Sequence, residues 1–545
     1  MVQFNYKRSL VFLKVKNLIQ KINPRSFISD YLIALGVPEN EIEDYIQPVN
    51  VKYQSPWDYP NMKLACEMVH DVAVNPESKI GVLVDSDTDG IMSATAIVEL
   101  LKSISVNPIV FHHPKKSHGL SVDIFNQIED SNLDLLIIPD AGSNDGAACT
   151  RIASRGTKIL VLDHHEITKP NPNSVIINPH MDKAHLNTKL SGAGVASKFV
   201  DAYCEMYGLN PVYTKDLVAC SIISDVCDVT VLENRKYIYD GLNNIQNPFL
   251  KFLFEKAKEA SPHAVGWTIA PKINALFRVE SNIATVFEGF INPSAIESAY
   301  KECNRAYNAS RKFTNEITKD PVIDEQKNCA ISFVENENAS FTGLLANRIL
   351  DTTKKPTFVL RDKDDRVYTG SMRSPIEFAS ILNSSRLCRA EGHEKASGIV
   401  IEKENYDAFL KWLDAQNFDL EPTEDIAGQL SPRNINLFLC EQIESNKQLW
   451  ANQIPEPRFS TTLRIKNTDV ALFKKTSTTF KVEKNGVAFI KFQLKEDEVQ
   501  KIESTKRLKI DVIFTLGINR YNGTETPQGM IQEWTIDEDD GEDMF

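Results

Sequence analysis

No stretch of this chain approaches the ~20 consecutive apolar residues that a membrane-spanning helix needs, so no membrane association is expected. Cysteine is sparse and scattered, nine residues in 545, with no Cys-x-x-Cys pair. That argues against a zinc ribbon or a disulfide framework and for a reducing, cytoplasmic location. Low-complexity tracts are missing, and the composition is that of a globular chain, 42% hydrophobic and 25% charged. Met1–Lys16 mixes Lys and Arg with short apolar runs and lacks a small-residue cleavage site, so no signal peptide is expected. Positive charge is in deficit, with a formal net charge of −13, which is a poor footprint for nucleic-acid binding by bulk charge. Six of the negatives crowd the C-terminal segment, at Asp537, Glu538, Asp539, Asp540, Glu542 and Asp543. Local basic pairs such as Lys115-Lys116, Lys354-Lys355 and Lys506-Arg507 therefore matter more than the total.

What is present centres on Asp85-Ser86-Asp87-Thr88-Asp89-Gly90. The apolar run Ile80–Val84 before it reads as a buried strand, and Ile91–Leu101 after it reads as a helix packed on a sheet. Carboxylates at alternate positions of one turn repel each other unless cations hold them, and a divalent metal is the simplest remedy. A solvated Asp-rich turn is the plainer reading of that hexapeptide alone.

The rest of the chain weighs against the plain reading. From Lys79 onward, short apolar runs at Ile80–Val84, Pro108–Phe111, Leu135–Ile138, Ile159–Leu162 and Val175–Ile177 alternate with helical stretches. Such alternation implies βαβ units and a mainly parallel sheet, whose ligands gather beyond the carboxyl ends of the strands. Asp85 and Asp87 follow the first run, Asp140 the third, and Asp163-His164-His165 the fourth. Parallel strands would bring those ends to one edge. Asp225, near the end of the apolar segment Leu217–Val226, is a candidate for the last position of the cluster.

Further along, Ser191-Gly192-Ala193-Gly194 opens a helical stretch in which the glycines serve packing more readily than anion binding. The apolar spacing of Pro293–Ile317 predicts a connecting helix, and a second α/β region follows over residues 320–420. Glu421–Ser431 reads as a polar linker. Beyond it, Phe459–Lys466, Thr478–Val482, Val487–Leu494, Leu508–Phe514 and Ile531–Ile536 read as strands of a small barrel, a type that often binds single strands. The expected plan is α/β. An N-terminal helical segment (1–75), including a helix over Leu10–Ile22, precedes a mainly parallel-sheet catalytic domain (76–290). A long connecting helix (291–319), a smaller α/β domain (320–420), an OB-like β-barrel (421–536) and an acidic tail (537–545) complete it.

Together these motifs resemble the DHH phosphoesterases and, within them, the RecJ-type single-strand-specific 5′→3′ exonucleases. The resemblance is carried in order by Asp85–Gly90, Asp140-Ala141-Gly142, Asp163-His164-His165, Ser191–Gly194 and Asp225. It continues through Pro271-Lys272-Ile273-Asn274-Ala275 with Arg278, Gly370-Ser371-Met372-Arg373-Ser374, and Gly392-His393 with Ala396 and Gly398. The chain departs from the family at Phe277, where Gly is usual, at Glu391, and at Lys115–Leu120, a reduced version of an Arg-containing segment.

The resemblance implies a DHH domain, a DHHA1-like substrate-binding domain and two Mn²⁺ or Mg²⁺ ions per site. By it, Asp140 bridges the ions, Asp85 serves mainly one, and Asp87, His164 and Asp225 serve the other. His165 faces the scissile phosphate, Asp163 orients His164, and Asp89 has a similar supporting part. Ser371 and Arg373 capture the 5′-terminal phosphate, Arg278 and His393 line the cleft, Asn274 belongs to the same substrate grip, and Lys115 or Lys116 stands for the family's arginine. The implied activity is hydrolysis of single-stranded DNA to 5′-mononucleotides in repair, recombination or replication, by a monomer whose other partners are single-strand-binding or replication proteins. The alternatives are a DHH phosphodiesterase acting on short oligonucleotides or cyclic dinucleotides, and an inactive DHH-fold replication scaffold. The acidic tail reads as a solubilising end, with docking on a replication protein or competition with DNA as the functional reading.

Overall fold

A computed structural model describes residues 14–113, 116–317, 322–418, 423–474 and 477–539. The chain divides into two compact units, Lys52–Pro422 and Met1–Val51 with Thr423–Phe545.

The larger unit holds the five-stranded sheet. Its strands are β1 (Ile80–Val84), β2 (Ile109–His112), β3 (Leu135–Pro139), β4 (Lys158–Leu162) and β5 (Val175–Ile177), all parallel, in the order β2-β1-β3-β4-β5. β1 and β3 are buried at every residue, as expected of strands covered on both faces. Helices α1 (Thr88–Ser103), α2 (Gly192–Met206) and α3 (Lys215–Ser224) pack together. On the other side Ile124, Phe125 and Ile128 join Leu136, Ile138, Ile159 and Val161 in the core. The chain leaves β1 to one side for β2 and returns on the other side for β3. Strand order therefore reverses between β1 and β3, which is where open α/β sheets place their ligand crevice.

The connecting helix is real, running Ile296–Ile317. It buries Ala299, Cys303, Ala306, Ser310 and Thr314, an i, i+4, i+7 row of small side chains that permits close packing. Beyond it lies a six-stranded sheet in the order Arg389–His393, Ala396–Glu402, Val367–Arg373, Thr357–Asp362, Ala330–Val334, Asp324–Glu325. Only Ala330–Val334 and Thr357–Asp362 pair in parallel. Its core is Ile331, Phe358, Leu360, Met372, Phe378, Leu382, Ile399, Ile401 and Phe409. Among the described residues no helix is long and apolar enough to cross a membrane.

The smaller unit corrects four expectations. The helix expected over Leu10–Ile22 gives way to a strand at Lys14–Asn17, which pairs in parallel with Thr423–Ile426; residues before Lys14 lie outside the described ones. The expected polar linker therefore contains that strand and a second one, Gly428–Gln429, in the seven-stranded sheet. Residues up to Val51 belong to this unit, with Phe27 against Phe459 and Tyr31 against Trp450, rather than to one N-terminal helical segment.

The last two strands are far longer than the apolar runs suggested, Arg507–Tyr521 and Thr524–Glu538. Asn522 and Gly523, at φ 49° and 76°, join them in the positive-φ two-residue turn that favours Asn-Gly. Asp537 and Glu538 thus belong to a strand, and Asp539 pairs with Arg464 at 2.6 Å. The acidic end from Asp540 onward lies outside the described residues.

Candidate active site

The sheet's carboxyl edge assembles the acidic and imidazole groups. Asp85 leaves β1 and is 2% exposed. Its carboxylate accepts from the Gly119 N–H at 2.9 Å and meets His118 Nδ1 at 2.8 Å and His113 Nε2 at 3.5 Å. Burial alone would raise this carboxyl, but the His118 charge, the His113 and His118 hydrogen bonds and the Gly119 N–H hold it well below the usual range. Asp87 is the N-cap of α1, extended at φ −156°, and accepts from the Gly90 N–H at 3.0 Å. A Cβ on Gly90 would sit 2.6 Å from the Asp85 carbonyl oxygen, so the close turn needs glycine.

Asp140 follows β3 in a left-handed conformation, φ 64°. Its N–H donates to Leu162 O at 2.8 Å, which locks the turn. Asp163, after β4, accepts from Ser143 N, His164 N and His165 N at 3.0, 2.8 and 3.1 Å. Asn178, buried after β5, donates to Ser143 Oγ and His165 O, both at 2.9 Å, and ties down the same loop.

Asp225 is the C-cap of α3. Val226 follows at φ 57°, Val226 N donates to Ile223 O at 3.3 Å and Cys227 N to Ile222 O at 3.0 Å. This is a Schellman end with valine where glycine is favoured. Asp140 and Val226 each hold about 1–3 kcal/mol of backbone strain, a cost that clusters at functional sites.

Three overlapping donor sets result: Asp85, Asp87 and Asp140; Asp140, His164 and His165; and His164, Asp225 and Cys227. Within each, the donor atoms lie within 4.8 Å of one another. Asp140 is common to two sets, as a bridging carboxylate must be. His164 Nε2 is 3.3 Å from Asp140 Oδ1, 3.7 Å from Asp225 Oδ2 and 3.8 Å from Asp89 Oδ2. Burial first, then the charges of Asp89, Asp87, Asp85 and Asp225, push the Asp140 carboxyl far up, and burial with Asp85, Asp225 and Asp89 pushes Asp87 up to about 6. Asp140 Oδ1 is buried and has no hydrogen-bond partner. Packed carboxylates with an orphaned oxygen fit divalent cations, and carboxylate oxygens with one imidazole suit Mn²⁺ or Mg²⁺.

Two assignments change. Asp87 falls with Asp85 and Asp140, since it sits two residues from Asp85 and is fixed by the helix it caps. Asp163 orients His165, not the His164 ring: its Oδ1 meets His165 Nδ1 at 2.8 Å and takes only the backbone N–H of His164. Asp89 is a tie beneath the rim, accepting from Gly192 N and Ala193 N at 2.8 Å and from Ser221 Oγ at 2.6 Å. It thereby fixes the start of α2, where a Cβ on Gly192 would collide with the Asp140 carboxylate.

The cations gather in a cavity of about 520 Å³ between the two lobes of the larger unit. Lys116, Arg278, Ser371, Arg373, Arg361 and Arg389 line it. Burial, then Arg278, lowers the Lys116 ammonium; burial, then Arg373, lowers Arg278; burial lowers Arg373. Such a crowd of cations around one cavity is a seat for an anion. Thr342 Oγ1 holds Ser371 Oγ at 2.8 Å, and a Cβ on Gly343 would sit 2.7 Å from Arg373 Nη2. Asn274 does not line this cavity. Its Oδ1 accepts from Thr88 N and Oγ1, both at 2.9 Å, and clamps the acidic turn instead. Lys115 and the His393 side chain lie outside the described residues. His118, Asn178, Ser221 and Cys227 escaped sequence reasoning; only Asn178, following an apolar strand, carried the signal used for the others.

Residues 79–223 match the DHH family, N-terminal domain, and residues 426–533 match the RecJ OB domain. The SPbeta prophage-derived protein YorK of Bacillus subtilis, named as a single-strand DNA-specific exonuclease, is 28% identical over 512 residues, 85% of this chain and 88% of its own length. The single-stranded-DNA-specific exonuclease RecJ of the same organism is 23% identical over 578 residues, 96% of this chain and 70% of its own. In fold, the chain is similar to the crystal structure of RecJ in complex with Mn²⁺ from Thermus thermophilus. The TM-score is 0.73 at 19% identity, covering 96% of this chain and 79% of that one.

Proposed function

We infer, from a chain that carries both a DHH-family N-terminal domain and a RecJ OB domain, that it is a metal-dependent 5′→3′ exonuclease hydrolysing single-stranded DNA to 5′-mononucleotides. The observation that carries this reading is the meeting of Asp85, Asp87, Asp140, His164 and Asp225 at one sheet edge, in the same unit as a cavity lined by cations.

Asp85, Asp87, Asp140, His164 and Asp225 would hold two divalent cations, with Asp140 between them. When bound, Mn²⁺ or Mg²⁺ supplies charge neutralisation at the phosphoryl group and lowers the pKa of water. His165 turns Nδ1 to Asp163 and leaves Nε2 for a phosphate oxygen. Burial works against its cation, but the Asp163 hydrogen bond and charge outweigh burial and raise it, which favours the donating, protonated ring. Arg373, Arg278 and Lys116, with Ser371, seat the 5′-terminal phosphate and set polarity. The OB domain is of a type that binds single strands through basic and aromatic side chains. Nine free thiols, eight of them buried, favour a reducing cytoplasm. Replication or single-strand-binding proteins are the partners to seek, with the enzyme itself a monomer.

Digestion of end-labelled single strands, 5′-phosphorylated or not, with Mn²⁺ or Mg²⁺ tests the reading. Mononucleotides released from the 5′ end are expected. Cleavage confined to dinucleotides or cyclic dinucleotides would replace the reading with the small-substrate one, and no metal-dependent release at all would leave a scaffold.

A further inference from the structure

One donor at the rim is unused by the reading above. Cys227, 9% exposed, is folded back toward the carboxylates by the helix end at Asp225-Val226. Its Sγ lies 3.5 Å from Asp225 Oδ2. That oxygen is 3.7 Å from His164 Nε2. Cys227, His164 and Asp225 thus bring one sulfur, one nitrogen and one oxygen within 4.8 Å of one another. Tetrahedral zinc, with bonds of about 2.0–2.3 Å, has edges of roughly 3.3–3.7 Å. The 3.5 Å between Cys227 Sγ and Asp225 Oδ2 and the 3.7 Å between Asp225 Oδ2 and His164 Nε2 fall in that range. Thiolate with imidazole is also the softer donor pair, which Mn²⁺ and Mg²⁺ do not favour.

We propose that Cys227 joins His164 and Asp225 in an N/O/S site that takes a thiophilic divalent cation, Zn²⁺ or Cd²⁺, in preference to Mn²⁺ or Mg²⁺. On binding, the Sγ–H bond breaks, its proton goes to solvent, and the sulfur lone pair forms the bond to the cation, with no change of oxidation state. Zinc held there occupies His164 and Asp225, donors that the catalytic cations would use. Zinc therefore blocks hydrolysis that manganese supports. This last consequence rests on the nuclease reading, whereas the binding itself does not.

The test uses the full-length chain, stripped of metal by a chelator. One equivalent of Co²⁺ should produce the near-ultraviolet sulfur-to-cobalt charge-transfer band. Cys227→Ser should abolish the band and reduce the Zn²⁺-to-Mn²⁺ affinity ratio about tenfold or more. Should the variant fold poorly by thermal melting, X-ray absorption at the zinc edge of the native chain gives the same answer. One sulfur neighbour at about 2.3 Å supports the site. A nitrogen- and oxygen-only shell, or a cobalt band that survives Cys227→Ser, overturns it. Manganese-dependent hydrolysis of single strands is assayed in parallel: a sulfur band without hydrolysis retires the nuclease reading and keeps the metal site, and hydrolysis without a band does the reverse.

Discussion

Two clusters of like charge stand within one unit, the carboxylates Asp85, Asp87, Asp140 and Asp225 and the cations Lys116, Arg278 and Arg373. The carboxylates are short side chains on strand and helix ends, held by the Gly90 and Gly119 N–H groups and by the imidazoles of His118 and His164. The cations are long side chains from separate segments meeting over a cavity of about 520 Å³, with Arg373 anchored to its neighbour's carbonyl, Met372 O, at 2.8 Å. One cluster is fixed before its counter-ions arrive, whereas the other can adapt to a phosphate. Chemistry that needs sub-ångström placement belongs to the first, and recognition that tolerates adjustment belongs to the second.

The sharpest break of this contrast is Asp140→Asn. Single-strand hydrolysis should fall by more than about 10³-fold with either metal, while metal-free melting changes little, because losing the 3.3 Å contact with His164 is offset by relief of repulsion from Asp85, Asp87 and Asp89. Gly192→Ala changes the identity of no ligand but pushes Asp140 aside, and kcat should fall about 10²-fold with weakened Mn²⁺ binding in titration. Arg373→Ala should cost about 10- to 100-fold on 5′-phosphorylated ends and far less on unphosphorylated ones. Equal loss on both ends would mean that the cavity does not read the terminus.

Metal removal should expose the strain in the rim. Asp87, pushed up to about 6, gives the metal-free chain stability that is complete below about pH 4 and lost as pH rises through 6. Chelation should therefore lower the melting temperature about 2–4 °C more at about pH 7.5 than at about pH 5. The smallest effect is expected from Asn274→Ala, a roughly 3- to 10-fold drop in kcat as the acidic turn loosens, with the 5′-phosphate preference retained.

The same contrast separates what could be read in the chain from what could not. β1, β3, β4 and β5 are apolar runs ending at Asp or Asn, so strand direction alone carried Asp85, Asp140 and Asp163 to one edge. Helix-borne Asp225 came from its place at the end of the apolar segment Leu217–Val226, and its neighbour Cys227 was invisible because only the left-handed Val226 turns it inward. Asn274 was assigned to substrate since its segment also carries Arg278, yet its contact with Thr88 bridges 186 positions of sequence. The pairing of Asp163 with one histidine over the next depended on ring orientation, which composition cannot express. In the smaller unit, a strand and a linker were misjudged because parallel pairing between Lys14–Asn17 and Thr423–Ile426 spans nearly the whole chain.

The Asp539–Arg464 ion pair sets where genetic trimming of the C-terminus can begin. Cutting ahead of Asp537 would unzip the rungs Leu508↔Glu538 and Lys509↔Asp537 and strip Arg464 of its carboxylate, so a tail-less protein made that way would report a damaged hairpin. A stop codon placed after Asp539 keeps those rungs, and an affinity tag fused at the same position would inherit a finished edge.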